Sequence, residues 1–244
     1  MSGRFLKGLF VILLVGSTVA GGVLAQSSAD RVRSALDALT VKTEDEIMSA
    51  FQIGFSQGRL APDEACHLID RLGAADGEPA EKEGILLTIA HALEDDLPVS
   101  LLVEKVEEGL ARRVSLSMIL NGSAGQPRIL GLKQREFLLG AVRDFLFAKG
   151  IFSVPEGGQG GAAALPVPRF DHLVNAISDF LADYIEAGKS PLEGSAMMDD
   201  LSHRLHSLSA LEEPVIPVGD VELVLDRVGP GDLTTLALKL VEQP

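Results

Sequence analysis

Three sets of side chains in this sequence have the types and spacing for chemistry. Gly54-Phe55-Ser56-Gln57-Gly58 matches G-x-S-x-G, the elbow that presents a nucleophilic serine between a strand and a helix. Here the residues before Ser56 carry a helical period, and Gly58 supplies a turn after it. No run of buried strands exists to build the sheet that the elbow needs, so the pentapeptide reads as a helix end with two glycines. Asp199, His203 and His206 are the best metal candidate. On one helix they fall at about 160°, 200° and 140° from Leu201, a compact patch opposite the apolar stripe. Two imidazoles and a carboxylate suit zinc or a similar ion, but no fourth ligand accompanies them. An exposed polar face is the simpler expectation for that patch.

The third set is scattered. His91 and Asp95 form an i,i+4 surface pair, while His67 and His172 stand alone. Glu104, Glu107 and Glu108 read as a solvated face. Asp76-Gly77-Glu78 lacks calcium-loop spacing. Asn121-Gly122-Ser123 is a glycosylation sequon that matters only in a host that uses it. Gly157 to Gly161 has neither the strand nor the lysine of a phosphate loop. Cys66, the one cysteine, excludes an internal disulfide and sits in a helical stretch as a small buried hydrophobe. No catalytic residue, cofactor or metal is therefore expected.

The elements behind these groups are helices. The best-defined stretch is Gly84 to Leu120, which reads as two amphipathic helices joined by a tight turn. The first runs from about Glu81 to Asp95, with Leu86, Ile89, Ala90 and Leu93 on one face and Thr88, His91 and Asp95 on the other. Asp95-Asp96-Leu97-Pro98 breaks it, with Ser100 a candidate cap for the second helix. Leu102, Val103, Val106 and Leu110 give that helix its stripe, and Arg112 and Arg113 suit its C-terminal end. A connection this short makes the pair antiparallel neighbours, and their stripes require further helices to cover them.

Elsewhere the chain follows the same plan. Ala29 to Leu39 predicts a short helix. Thr43 to Glu46 matches a capping box and opens a helix to about Gln57, bearing Ile47, Phe51, Gly54 and Phe55 on one face. Pro62 to Leu72 follows, then a loop from Gly73 to Pro79. A helix over Leu132 to Lys149 carries Leu138, Val142, Phe145 and Leu146. Residues 154–168 are a Gly/Ala/Pro linker and the expected domain boundary between a helical domain at 26–153 and a smaller helical region at 169–244. Beyond it Phe170, Leu173, Val174, Ile177, Leu181 and Tyr184 make a strong stripe. Ser190 to Glu193 is a second capping box, opening a helix to about Leu208. Val221 to Val228 suits a helix or a strand, and Asp232 caps a last helix through Val241. Proline follows a helix end by a few residues at Pro62, Pro98 and Pro191, at intervals too irregular for a repeat protein. The expected fold is all-α, with antiparallel hairpins packed as an irregular bundle or short solenoid.

Composition sets the remaining bounds. Hydrophobic residues make up 46% of the 244, enough for a core, and aromatics only 5%, so that core is aliphatic. The formal charge of −14 argues against nucleic acid and anionic membranes, which need a basic face. At the N-terminus Arg4 and Lys7 precede an apolar run from Gly8 to Val19, and Val23-Leu24-Ala25 puts small residues before Gln26. That is the three-part pattern of a secretory signal peptide over residues 1–25, with an uncleaved anchor as the alternative. The expectation is an exported, periplasmic or extracellular protein with no membrane span after cleavage.

Three functions fit. The first is a non-catalytic helical binding or structural module with a protein partner. The second is a carrier of an apolar ligand between helices. The third is a hydrolase or metal-dependent enzyme, using Ser56 or Asp199, His203 and His206, which requires those residues to line a concave site.

Overall fold

The computed structural model describes residues 29–125, 128–151, 167–190, 192–210 and 216–242. The expected signal segment and most of the expected linker lie outside them. Among the described residues the fold is all-α, with one isolated bridge between Ser123 and Ile129. Helix α1 covers residues 29–39. It is followed by α2 (Glu44–Gln57), α3 (Pro62–Ala74), α4 (Pro79–Glu94), α5 (Ser100–Ala111) and α6 (Leu116–Asn121). Then come α7 (Leu132–Ala148), α8 (Val167–Glu186), α9 (Gly194–Ser209), α10 (Val218–Arg227) and α11 (Pro230–Val241).

Helix α4 is the centre of the first half. It packs on α2, α6 and α7, and less extensively on α5. Its expected wet face is only partly wet: His91 and Asp95 are exposed, but Thr88 is buried along with Ile85, Leu86, Ile89, Ala90, Ala92 and Leu93. The Thr88 hydroxyl donates 2.9 Å to the Gly84 carbonyl one turn back, which satisfies it without a distant partner. A helix covered on most sides needs no polar stripe, so periodicity alone understated its burial. Gly54 lets α2 approach closely, since a Cβ there would stand 2.8 Å from a Leu93 methyl.

The stretch after α4 differs from a simple hairpin. The chain turns at Asp96, whose φ is +61°, and again at Arg113, whose φ is +57°. The second turn ends α5 and starts the short α6, with the Ser115 hydroxyl accepting from the Met118 N–H at 3.3 Å. The expected two helices are thus three. Ser100 is the first residue of α5 rather than its cap, and its hydroxyl accepts from Asn175 of α8 at 2.8 Å.

Four helix starts share one device, at positions other than the expected ones. A side chain three residues into the helix accepts the N–H of the residue before it. Glu64 does this for Ala61, Glu81 for Glu78, Gln134 for Gly131 and Asp232 for Gly229. Pro62, Pro79 and Pro230 stand at the first positions of three of these helices. Asp232 therefore acts from inside α11 and does not cap it. The Thr43 box does not close: Thr43 Oγ1 donates 2.8 Å to Glu83 of α4 instead. The Ser190 box does not close either. Its hydroxyl accepts from Leu192 N–H at 3.3 Å, and α9 begins at Gly194.

The second half packs on the first. Helix α8 begins at Val167, inside the expected linker, because proline at 168 is tolerated in a first helical turn. It lies against α7, while α11 touches α7, α8 and α9. One hydrophobic core runs through both halves, from Val32 to Leu240. Residues 218–227 are helical: Val221 and Val224 are buried at helical spacing, and the strand-like alternation with Leu223 and Leu225 is incidental. Cys66 is buried at 6% exposure, and burial pushes its thiol pKa up.

Candidate functional site

A groove of about 550 Å³ lies where α6, α7, α8 and α11 meet. Leu130, Phe137, Leu138, Ile185 and Leu240 give it an apolar lining, and Asn121, Lys133 and Gln134 supply its polar atoms. Its walls are fixed from beneath. Arg135 of α7 is buried, and its Nη2 donates 2.7 Å to Glu186 at the end of α8. The same carboxylate oxygen accepts the Leu130 N–H at 2.9 Å, so one ion pair holds the entry to α7 against α8. Gln134 ties α6 to α7: its carbonyl accepts from Gly131 N–H at 3.0 Å, and its amide donates 3.1 Å to the Asn121 carbonyl.

Gly122 and Gly131 make that junction possible. Gly122 has φ +65°, and a Cβ on it would overlap the Ile129 carbonyl oxygen. A Cβ on Gly131 would overlap the Gly122 nitrogen. The two backbones are in contact, and only glycine permits it.

Lys133 is exposed at the rim, and its ammonium makes no ion pair among the described residues. Phe137 is 41% exposed. Both residues also line a second cavity of about 490 Å³ beside the groove, with Asp95, Glu136, Arg143 and Asp144. Burial raises the Glu136 pKa, and His91 and Lys133 draw it back.

A smaller, polar cleft of about 250 Å³ lies where the α2–α3 loop, the α4–α5 turn and α8 converge. The Arg59 side chain is 6% exposed, with Nη1 3.0 Å from Asp96 and Nη2 3.5 Å from Asp171. Burial pushes the Asp171 pKa up, opposed by the Arg59 charge and reinforced by Asp96. Ser100 accepts a hydrogen bond from Asn175 there. Arg59, Asp96 and Asp171 clamp three connections together; a serine bound to an amide is not an activated nucleophile.

The residues singled out from sequence fall elsewhere. Ser56 is exposed on the last turn of α2, and its hydroxyl donates 2.8 Å to the Ile53 carbonyl. No strand precedes it. Asp199, His203 and His206 are all exposed on α9. His203 lines a cleft of about 320 Å³ shared with Phe180, Tyr184, Lys189 and Arg204, whose lining includes neither Asp199 nor His206. Among the described residues no group of three His, Cys, Asp or Glu side chains could hold a metal.

The scattered histidines also change partners. His91 Nε2 is 3.5 Å from Glu46 of α2 rather than paired with Asp95. Glu107 bridges His67 and Arg71 of α3, so the acidic face of α5 is a helix contact as well as a solvated surface. Lys133 and Phe137 do not stand out in the sequence. The available signal was a phenylalanine standing off the Leu138, Val142, Leu146 stripe.

Comparison with protein-family models, with curated proteins and with solved structures finds no match. No relative's activity carries over, and the geometry stands alone. Among the described residues, no helix is long and apolar enough to cross a membrane.

Proposed function

We propose that this is an exported, non-catalytic helical binding protein of the cell envelope or exterior, with the α6–α7–α8–α11 groove as its binding surface. One observation carries the reading: this concavity is mainly apolar, held by the Arg135–Glu186 pair, and edged by a half-exposed phenylalanine. Binding sites have this composition, with few polar groups and an apolar lining of several hundred Å³. Export is supported by the three-part N-terminal pattern of residues 1–25. The enzymatic alternatives draw no support from Ser56 or the α9 patch, because neither gathers a base, an orienting group and a reacting position in one cavity.

Two measurements test this. Peptide mapping of the protein from its host's envelope fraction should give a first residue of Gln26; an intact N-terminus would defeat the export reading. Organic extraction of the native protein, followed by mass spectrometry, should release an apolar compound that a Phe137→Asp variant does not retain. A folded wild-type protein that retains no compound and takes up none when supplied would defeat the groove reading.

A further inference from the structure

The groove's charge is unlike that of the chain around it. The sequence has 35 acidic residues against 21 Lys and Arg, yet no carboxylate lines this cavity. Its polar atoms come from three side chains, and they are not equivalent. Gln134 is consumed at both ends by Gly131 and Asn121, so it is built into the wall. Asn121 ends α6 at the rim, where its exposed side chain can serve as a second donor. Lys133 is exposed and makes no ion pair among the described residues; Arg33, Arg113 and Lys239 make none either, but Lys133 is the cation that lines this groove, and several others are engaged. Arg135 holds Glu186, Lys149 holds Asp232, Lys189 holds Asp200, and Arg204 holds Asp179 and Asp183. An exposed ammonium at the lip of an apolar trough, with only the longer-range charge of Glu136 acting on it, suits a head-group contact next to a tail site.

The adjoining cavity sets the direction. It shares Lys133 and Phe137 with the groove, and it also holds Asp95, Glu136 and Asp144, with Arg143 paired to Asp144 leaving the acids in excess. Ionised, these acids repel an anionic head from that side and leave the groove side open to it. A neutral hydrocarbon would leave the ammonium unused. A cationic amphiphile would meet like charge.

We infer that the groove binds a long-chain carboxylate, its head at Lys133 and Asn121 and its alkyl chain along Leu130, Phe137, Ile185 and Leu240. This rests on the groove being the binding surface and names the ligand class it takes. Only head-group recognition is assigned to Lys133; the apolar lining carries the tail.

The test is calorimetric titration of the mature chain with dodecanoate, dodecanol and dodecyltrimethylammonium, each below its micelle-forming concentration. The wild-type protein is compared with Lys133→Glu and Phe137→Gln, both changes at exposed positions that leave the core intact. Dodecanoate should bind one to one and roughly tenfold tighter than dodecanol, the scale of one charged hydrogen bond. Lys133→Glu should remove that advantage and leave dodecanol binding unchanged. Phe137→Gln should weaken both.

Equal binding of dodecanoate and dodecanol, or preference for the cation, would overturn the carboxylate assignment while the groove reading stands, provided Phe137→Gln still weakens binding. If wild type and Phe137→Gln bind all three probes alike, or bind none, both readings fall.

Discussion

Two acidic side chains show how single residues hold distant regions of this molecule. Glu83 Oε1 accepts from Thr43 Oγ1 at 2.8 Å and from the Lys42 and Thr43 N–H groups at 2.9 Å each. The Thr43 hydroxyl, then the backbone donors, hold its pKa below the usual Glu range. A depressed folded pKa means a contribution present at neutral pH and lost as acid titrates through that lowered value. Glu83→Ala should cost about 1–2 kcal/mol, the scale of a lost helix cap. Urea midpoints of the two proteins should differ at neutral pH and converge as pH falls through the lowered Glu83 value.

Asp171 has the opposite sign. Its folded pKa is raised by burial, so the ionised form is disfavoured in the fold, and stability falls as pH rises through that value. Arg59 offsets this. Arg59→Met should cost about 3 kcal/mol, since it strands a half-buried carboxylate. The loss should grow from acid to neutral pH, with the Asp171 carboxyl titrating higher by NMR. Neither role was legible in sequence. Glu83 acts across 40 residues, and the partners of Arg59 lie on two other elements.

At the scale of elements, most helix spans followed from apolar spacing, and several of their starts did not. The stripes over Ile47–Phe51, Leu102–Val106 and Leu173–Tyr184 are buried as their period required. Caps were misplaced for a physical reason. The sequence signal is a Ser or Thr ahead of the helix, but the working device here is an acidic or amide side chain reaching back to Ala61, Glu78, Gly131 or Gly229. The turn at Arg113 was hidden because a non-glycine residue takes the left-handed conformation there. Two glycines distinguish strain from crowding. Gly58→Ala has open space and only the positive φ to bear, so about 1 kcal/mol is expected. Gly131→Ala must push apart a pair of backbones in contact and should cost about 1–3 kcal/mol, the scale of overpacking. Denaturant unfolding ranks these substitutions, and Gly131→Ala should also weaken ligand uptake because Asn121 and Leu130 are displaced from each other.

For the whole molecule, helical period and the aliphatic composition sufficed for an all-α fold. The groove was beyond them, since its lining comes from α6, α7, α8 and α11 and no local spacing records that meeting. The same assembly joins the two halves on either side of residues 152–166, through Arg135 with Glu186, Lys149 with Asp232, and a shared core. Unfolding in urea should therefore be one transition, with the same midpoint by helix signal and by an NMR probe in α11. A chain ending at residue 153 should expose the α7 face that α8 covers, and aggregate where the full chain is monodisperse. The lone thiol, Cys66, walled in on α3, then becomes a natural stopwatch. With no second thiol to confuse the signal, its slow reaction with a colorimetric disulfide reagent times each spontaneous opening of that helix in an unmodified protein.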